Sequence, residues 1–165
     1  MLSLKITDIK TFAEHLFVKD TFDKFHLHSA AFKTAFYTEI DGRRITEQTE
    51  GSEETAPEDD AVLWKDVRRA AFELIRGDRL PLFFRITLKA SRSAGRYYKE
   101  KSGLQNAGIT TLAKNLNYQN DVLTLTTGVS YDGFTLDKSA EKLWDADVKG
   151  FLDKTGISFE DAFPE

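Results

Sequence analysis

Apolar positions at the start of the chain change from a period of two to helical spacing. Leu2, Leu4 and Ile6 alternate with polar residues, which predicts a short strand over residues 2–6. Thr7 is then a suitable cap for a helix that extends to about residue 18. The apolar residues of this helix share one face, which we expect to be buried: Ile9, Phe12, Ala13, Leu16 and Phe17.

The period of two returns between Phe25 and Thr49, in a stretch that also contains the clearest turn signal. Asp41 and Gly42 separate two alternating runs, and both residue types tolerate the positive φ angles of a primed hairpin turn. The pattern therefore predicts a β-hairpin with arms near residues 35–40 and 43–48.

Residues 46–60 form an acidic segment that contains seven carboxylates and no basic residue. A segment with so few apolar residues cannot bury enough surface to fold, so we predict a mobile loop. Asp60, at its end, is a suitable cap for a helix over residues 61–76. The predicted apolar face of that helix comprises Leu63, Val67, Ala70, Ala71 and Leu74.

Four further segments complete the pattern. Alternation at Leu82, Phe84, Ile86 and Leu88 predicts a strand with one buried face. A basic stretch that contains glycine and serine follows over residues 90–108, and we interpret it as a loop with a turn at residues 93–95. Two more strands, 109–118 and 121–131, flank a predicted turn at residues 118–121. Asp137 then caps a last helix, 138–154, and the short tail packs back on the domain. The apolar stripe of that helix comprises Trp144, Val148, Phe151 and Leu152.

Hairpin-linked strands with few helical crossovers favour an antiparallel sheet. We predict an α+β fold of about five to seven strands, with about three helices packed on one face. The length of 165 residues suits a single globular domain, residues 1–165, with enough core to need no disulfide. The other face of the sheet is then left as a polar surface, a curved groove or a docking site.

Composition narrows the classes of function. The net charge of −4 means that binding to nucleic acid or anionic lipid would need a local basic patch. The chain has no cysteine, which excludes disulfides, thiolate catalysis and cysteine-ligated metals. It shows neither a signal peptide nor about 20 consecutive apolar residues, so we expect no membrane partner and a cytoplasmic location.

The basic segment 85–101 is the most unusual local feature. Arginine side chains supply forked donors for phosphate, and adjacent aromatic rings can stack on bases. An ordinary solvated surface explains the same charges, so anion or nucleic-acid binding is the alternative here rather than the first interpretation. The residues of this candidate site are Arg85, Lys89, Arg92, Arg96, Tyr97, Tyr98, Lys99 and Lys101.

Candidate metal or catalytic groups are sparse. His26 and His28, two residues apart on a strand, are weak candidates for metal ligands, because a third ligand is not evident in the sequence. Residues 128–133 superficially resemble a serine loop but lack the Gly-x-Ser-x-Gly pattern, and no phosphate-binding glycine loop is present. We therefore assign no catalytic residue and expect no cofactor.

Several segments resemble a family of bacterial proteins whose function is unknown. The resemblance rests on Thr126 to Ser130, Phe134 to Lys138, and Trp144, Asp145, Val148, Phe151 and Leu152, with further similarity at residues 4–10 and 21–23. It implies a stand-alone bacterial protein of the cytoplasm, and it implies no activity, cofactor or site residue.

The sequence leaves three hypotheses of function. The first is a non-enzymatic binding or accessory protein that uses a sheet face or a sheet–helix groove, with a protein partner or a second copy as its occupant. The second is a phosphate or nucleic-acid binder that acts through residues 85–101. The third is a small hydrolase whose site is assembled from distant residues.

Overall fold

The computed structural model describes residues 1–45, 59–77 and 81–163. Within these ranges seven strands form one antiparallel sheet, in the order β3-β2-β4-β5-β6-β1-β7. This is the α+β class that the sequence predicts. The strands are β1 (Ser3–Ile6), β2 (His26–Lys33), β3 (Tyr37–Asp41), β4 (Phe83–Lys89), β5 (Ile109–Gln119), β6 (Val122–Tyr131) and β7 (Phe159–Asp161).

Four α-helices lie in the described part of the chain, one more than predicted. Helix α1 continues directly into a π-helical turn, Glu14–Val18, and begins at an Asp8 cap rather than at Thr7. The carboxylate of Asp8 accepts a hydrogen bond of 3.1 Å from the amide of Thr11. The helices are α1 (Ile9–Ala13), α2 (Trp64–Ile75), α3 (Arg92–Ser102) and α4 (Ser139–Thr155).

The described helices pack on one face of the sheet, and none of them covers the other face. Inward-facing residues of the central strands, such as Phe84, Ile86 and Leu88, join helix residues such as Trp64 and Trp144 in one buried cluster. Alternation along each strand sends the intervening residues to the opposite face. We call this opposite side the open face.

The predicted hairpin at Asp41 and Gly42 is wrong. Strands β2 and β3 pair through a turn at residues 34–36, and Asp41 is the last residue of β3. A Cβ atom at Gly42 would lie only 1.8 Å from the carbonyl oxygen of Leu27, so the glycine is there for close backbone approach. A strand-end glycine of this kind gives the same sequence signal as a turn.

The second error concerns residues 90–108, which we predicted as a loop and which contain α3. Ser91 caps this helix by accepting a hydrogen bond of 3.3 Å from the amide of Ala94. Gly95 faces β5, where a Cβ atom would lie 3.3 Å from the carbonyl oxygen of Ile109. The glycine therefore marks a tight helix–strand contact, and not the turn that its sequence context indicates.

Two smaller boundaries also differ from the prediction. The N-cap of α2 is Leu63, and Asp60 does not cap that helix but pairs with Lys89. Leu82 precedes β4 and is exposed, while the buried alternation begins at Phe84. The predicted acidic loop is outside the described residues from 46 to 58, so only Asp59 and Asp60 of it are described.

The C-terminal half follows the prediction closely. Strands β5 and β6 form a hairpin whose turn residues, Asn120 and Asp121, have positive φ angles of 53° and 62°. The N-cap of α4 is Lys138 rather than the predicted Asp137, but the carboxylate of Asp137 accepts a 2.8 Å hydrogen bond from the amide of Ser139, the first residue of α4. The tail forms β7, which pairs with β1 at one edge of the sheet.

Candidate functional site

The structure does not bring the predicted anion-binding residues together. Arg85 lies on the open face of β4, whereas α3 packs on the helix-covered side of the sheet. Lys89, at the end of β4, and Arg92, at the start of α3, lie near each other. The segment is therefore divided between the two faces of the sheet and does not form one binding surface.

Lys89 and Arg92 are already engaged by carboxylates of the same chain. The ammonium of Lys89 donates to Asp60 at 3.1 Å, and the backbone amide of Arg92 donates to Asp59 at 3.0 Å. The Lys89 contact, together with Arg92 nearby, holds the pKa of Asp60 below its usual value. These two acids fasten the chain that precedes α2 to the end of the sheet.

The rest of the predicted set lies along α3 and is largely structural or exposed. The hydroxyl of Tyr98 donates to Asp147 on α4, and its ring packs edge-on against Trp144. Burial and this contact raise the pKa of Tyr98 well above its usual value. Tyr97 is exposed beneath the ammonium of Lys101, while Arg96 and Lys99 occupy neighbouring positions of the helix.

The two histidines considered as metal ligands have different environments. A β-bulge between Leu27 and Ser29 interrupts the alternation, so His26 is buried and His28 is exposed. The Nδ1 atom of His26 lies 2.9 Å from the carbonyl oxygen of Ala61, and its Nε2 atom lies 3.5 Å from Asp59. Among the described residues no group of three metal-binding side chains assembles.

A broad depression of about 910 Å³ lies on the open face over β2, β3 and β4. Its lining mixes both charge signs, and most of the lining side chains are exposed. Thr87 lies at its edge and donates a hydrogen bond of 3.0 Å to Asn115 on β5. The ionisable groups in the lining are His28, Tyr37, Glu39, Asp41, Arg43 and Arg85.

Arg85 is held in place in this depression without a carboxylate partner among the described residues. Its guanidinium carbon lies 5.1 Å from the centre of the Phe83 ring, a cation–π contact. The Tyr37 ring flanks Phe83 at 6.2 Å, and its hydroxyl donates to Glu39 at 2.6 Å. The stacked guanidinium therefore keeps its forked donors available to a ligand.

Asp41 and Arg43 close one end of the depression as a local ion pair. The guanidinium of Arg43 donates two hydrogen bonds to the Asp41 carboxylate, at 2.7 and 2.9 Å. This contact lowers the pKa of Asp41, so its charge is maintained at neutral pH. Of the cations around the depression, Arg43 is thus matched internally, whereas Arg85 is not.

Sequence reasoning missed Lys114, the most unusual ionisable group of the structure. It is the middle of β5, only 2% exposed, on the side covered by the helices. Its Nζ atom lies 3.2 Å from the centre of the Phe25 ring, 4.5 Å from Phe151 and 5.3 Å from Trp144. Burial lowers its pKa well below the usual 10.5, and no charged group within the described ranges offsets that burial.

The aromatic rings and burial have opposite effects on the pKa of Lys114. Contact with ring faces favours the ammonium form by about 2 kcal/mol when the contact is desolvated. Burying an uncompensated charge costs several kcal/mol, so burial is the larger effect and favours the neutral amine. The alternation at Leu112, Lys114 and Leu116 was the available signal, because it places a lysine among inward-facing residues.

Comparison with known proteins gives one result. The model of a family of unknown function, DUF5721, matches residues 15–160. The chain belongs to this family. No curated protein and no solved structure matches it.

The DUF5721 match covers the features described above and confirms the predicted resemblance to a family of unknown function. Arg85 with its depression and Lys114 with its aromatic rings all lie within residues 15–160, whereas β1 and α1 precede that range. Membership of DUF5721 assigns no activity to either feature. Among the described helices, none has both the length and the apolar character needed to span a bilayer.

Proposed function

We propose that this protein is a non-enzymatic binding protein whose open face holds an extended segment of a protein partner. The observation that carries the proposal is Arg85, a guanidinium stacked on Phe83 and facing a depression of about 910 Å³. We assign to Arg85 a bidentate contact with a carboxylate of the partner, the geometry that a fixed guanidinium favours. The proposed location is the cytoplasm.

The shape of the depression favours a chain segment over a small molecule. Small-molecule sites enclose most of the ligand surface, whereas here Tyr37, Glu39 and Arg85 are themselves exposed on a sheet face that no described helix covers. A shallow surface of this kind suits a partner that lies across several strands. Each strand can then contribute one or two contacts to the partner.

The residue types around the depression also fit a protein partner. Phe36 and Tyr37, at the tip of the β2–β3 hairpin, are 60% and 52% exposed, and Tyr37 lines the depression. Aromatic and arginine side chains are the residues most often found as anchors in protein interfaces. The mixed charges of the lining would set the direction in which the segment binds.

The test uses a peptide-display library selected on the purified full-length protein. Binding is then compared with Arg85→Ala and with Arg69→Ala, which removes an exposed arginine from α2. We expect selected peptides to contain Asp or Glu and to lose roughly tenfold or more in affinity only on Arg85→Ala. Amide shifts in nuclear magnetic resonance spectra should map to β2, β3 and β4.

Two results would overturn the proposal. Selected peptides that bind Arg85→Ala as tightly as the wild type would remove Arg85 from the site, and shifts confined to the helices would remove the open face. Adding an oligothymidylate as a competitor distinguishes this proposal from the second hypothesis, a phosphate or nucleic-acid binder. Tight, salt-sensitive binding of the oligonucleotide through Arg85, with no selected peptide, would favour a nucleic-acid binder instead.

A further inference from the structure

The amine of Lys114 lies beneath two half-buried aromatic rings. Phe25 and Phe151 cover it, with ring centres 3.2 and 4.5 Å from Nζ, and the two rings meet edge to face at 5.7 Å. Trp144 lies on a further side, at 5.3 Å. Both phenylalanines are themselves partly exposed to solvent.

Among the described residues no carboxylate pairs with this amine. Neither of the residues paired with Lys114, Leu88 on β4 and Thr127 on β6, carries a charge. Carboxylates of the surrounding segments contact other groups: Asp23 binds Arg68, Asp59 contacts His26, Asp60 binds Lys89, Asp145 accepts from Thr127, and Asp147 accepts from Tyr98.

An amine in this setting differs chemically from a surface lysine. Exposed lysines are protonated at neutral pH and carry no free lone pair, whereas burial disfavours the ammonium form of Lys114 and lowers its pKa well below the usual value. Desolvation in an apolar pocket is a recognised way to turn a lysine into a nucleophile toward carbonyl groups. Its place in the middle of β5, between two paired strands, also fixes the base of the side chain.

We propose that Lys114 is a carbonyl-reactive lysine that forms an imine with a small aldehyde entering between Phe25 and Phe151. In this reaction the amine lone pair forms a bond to the carbonyl carbon. The carbonyl oxygen leaves as water with the two amine protons, and a carbon–nitrogen double bond remains. The apolar cage favours small aldehydes without charge, because a charged substrate would lose its hydration without finding a counter-ion there.

This activity is independent of the proposed peptide-binding site. Lys114 lies on the helix-covered side of the sheet and Arg85 on the open face. A failure of one therefore leaves the other untouched, and a single protein preparation can test both.

The experiment treats the folded, full-length protein with propionaldehyde and cyanoborohydride, and peptide mass spectrometry measures the modification of each lysine. Lys65, exposed on α2, is the reference. Its free-amine fraction falls about tenfold for each pH unit below its pKa. We expect the ratio of Lys114 to Lys65 modification to rise between about pH 9 and about pH 7, because the lowered pKa of Lys114 shifts that fall to lower pH.

Variants of the covering rings test the route of entry. Phe25→Leu, a conservative change that keeps the site apolar, should increase modification of Lys114 severalfold and leave Lys65 unchanged. Phe163→Leu, which alters an 84% exposed phenylalanine in the tail, is the matched control and should change neither. Circular dichroism identifies any variant whose fold has changed, and Phe151→Leu then takes the place of Phe25→Leu.

Two outcomes would overturn the proposal. If Lys114 stays unmodified in the folded protein over the whole pH range, aldehydes do not reach it. If Lys114 is modified with the same pH profile as Lys65, its pKa is that of an ordinary lysine. Lys114→Arg should abolish the signal of its peptide, which verifies the assignment.

Discussion

Two cationic side chains on neighbouring strands, Lys114 on β5 and Arg85 on β4, each contact a phenylalanine ring from opposite faces of one sheet. The ammonium of Lys114 is enclosed and lies 3.2 Å from the centre of the Phe25 ring. The guanidinium of Arg85 is exposed and lies 5.1 Å from Phe83. The same type of contact therefore occurs once in an apolar interior and once in water.

The difference shows that the surroundings decide what such a contact does. Water solvates Arg85 fully, so Phe83 only orients the guanidinium and leaves its charge available to a partner. Around Lys114 there is little water to solvate a charge, so the rings cannot offset the lost hydration and the neutral amine is favoured. One side chain is suited to recognition through charge, and the other to chemistry through a lone pair.

The largest expected effect is a difference in stability between substitutions at two adjacent positions of β4, which lie on opposite faces of the sheet. Ile86 is fully buried, so Ile86→Ala should lower the free energy of unfolding by roughly 3 kcal/mol through lost contacts and a cavity. Arg85→Ala, one residue away on the open face, should change it by no more than about 0.5 kcal/mol. Urea denaturation followed by circular dichroism measures both values.

Similar losses in these two variants would contradict the description of an uncovered face. A costly Arg85→Ala would mean that Arg85 supports the fold, and its use as a binding contact would then lose its main support.

The next effect concerns Lys114 and has the opposite sign. Lys114→Met keeps the length and apolar stem of the side chain and removes the amine, so it should stabilise the protein by about 2 kcal/mol at neutral pH. Between the lowered pKa of Lys114 in the folded state and its usual 10.5, the unfolded chain binds one more proton. Wild-type stability should therefore rise with pH, and the advantage of Lys114→Met should shrink toward pH 10.5.

Denaturation curves at several pH values measure this convergence. Lys65→Met, at an exposed position of α2, is the control and should show no such pH dependence. An advantage of Lys114→Met that stays constant across the pH range would mean that Lys114 is charged in the folded protein.

The sequence predicted the covered face much better than the open one. Alternation at Phe84, Ile86 and Leu88 identifies the side of β4 that packs on the helices, because burial needs apolar side chains at every second position. The helix α4 was found in the same way from Trp144 and Val148. Local periodicity shows which side of a strand or helix faces the core, and a single sequence is enough to reveal it.

Features that depend on contacts between distant segments could not be found in this way. Gly42 and Gly95 gave turn signals although each marks a close approach to a distant carbonyl group. The same error explains why the division of the basic segment between Arg85 and α3 was not predicted. In a loop, all residues of the segment could have converged on one site. Lys114 interrupts a buried alternation, but its rings come from residues 25, 144 and 151.

The smallest effect should come from Gly128 on β6, whose open-face side provides space for a methyl group. A Cβ atom there would have its nearest neighbour at 3.9 Å, the amide nitrogen of Asn115, which is an ordinary contact distance. We expect Gly128→Ala to change the free energy of unfolding by no more than about 0.5 kcal/mol, as measured by urea denaturation. Peptides selected through Arg85 should keep their affinity, because the depression over β2, β3 and β4 does not extend to Gly128. A loss of affinity without a loss of stability would instead extend the binding surface across β5 to β6, and would make the whole open face the site.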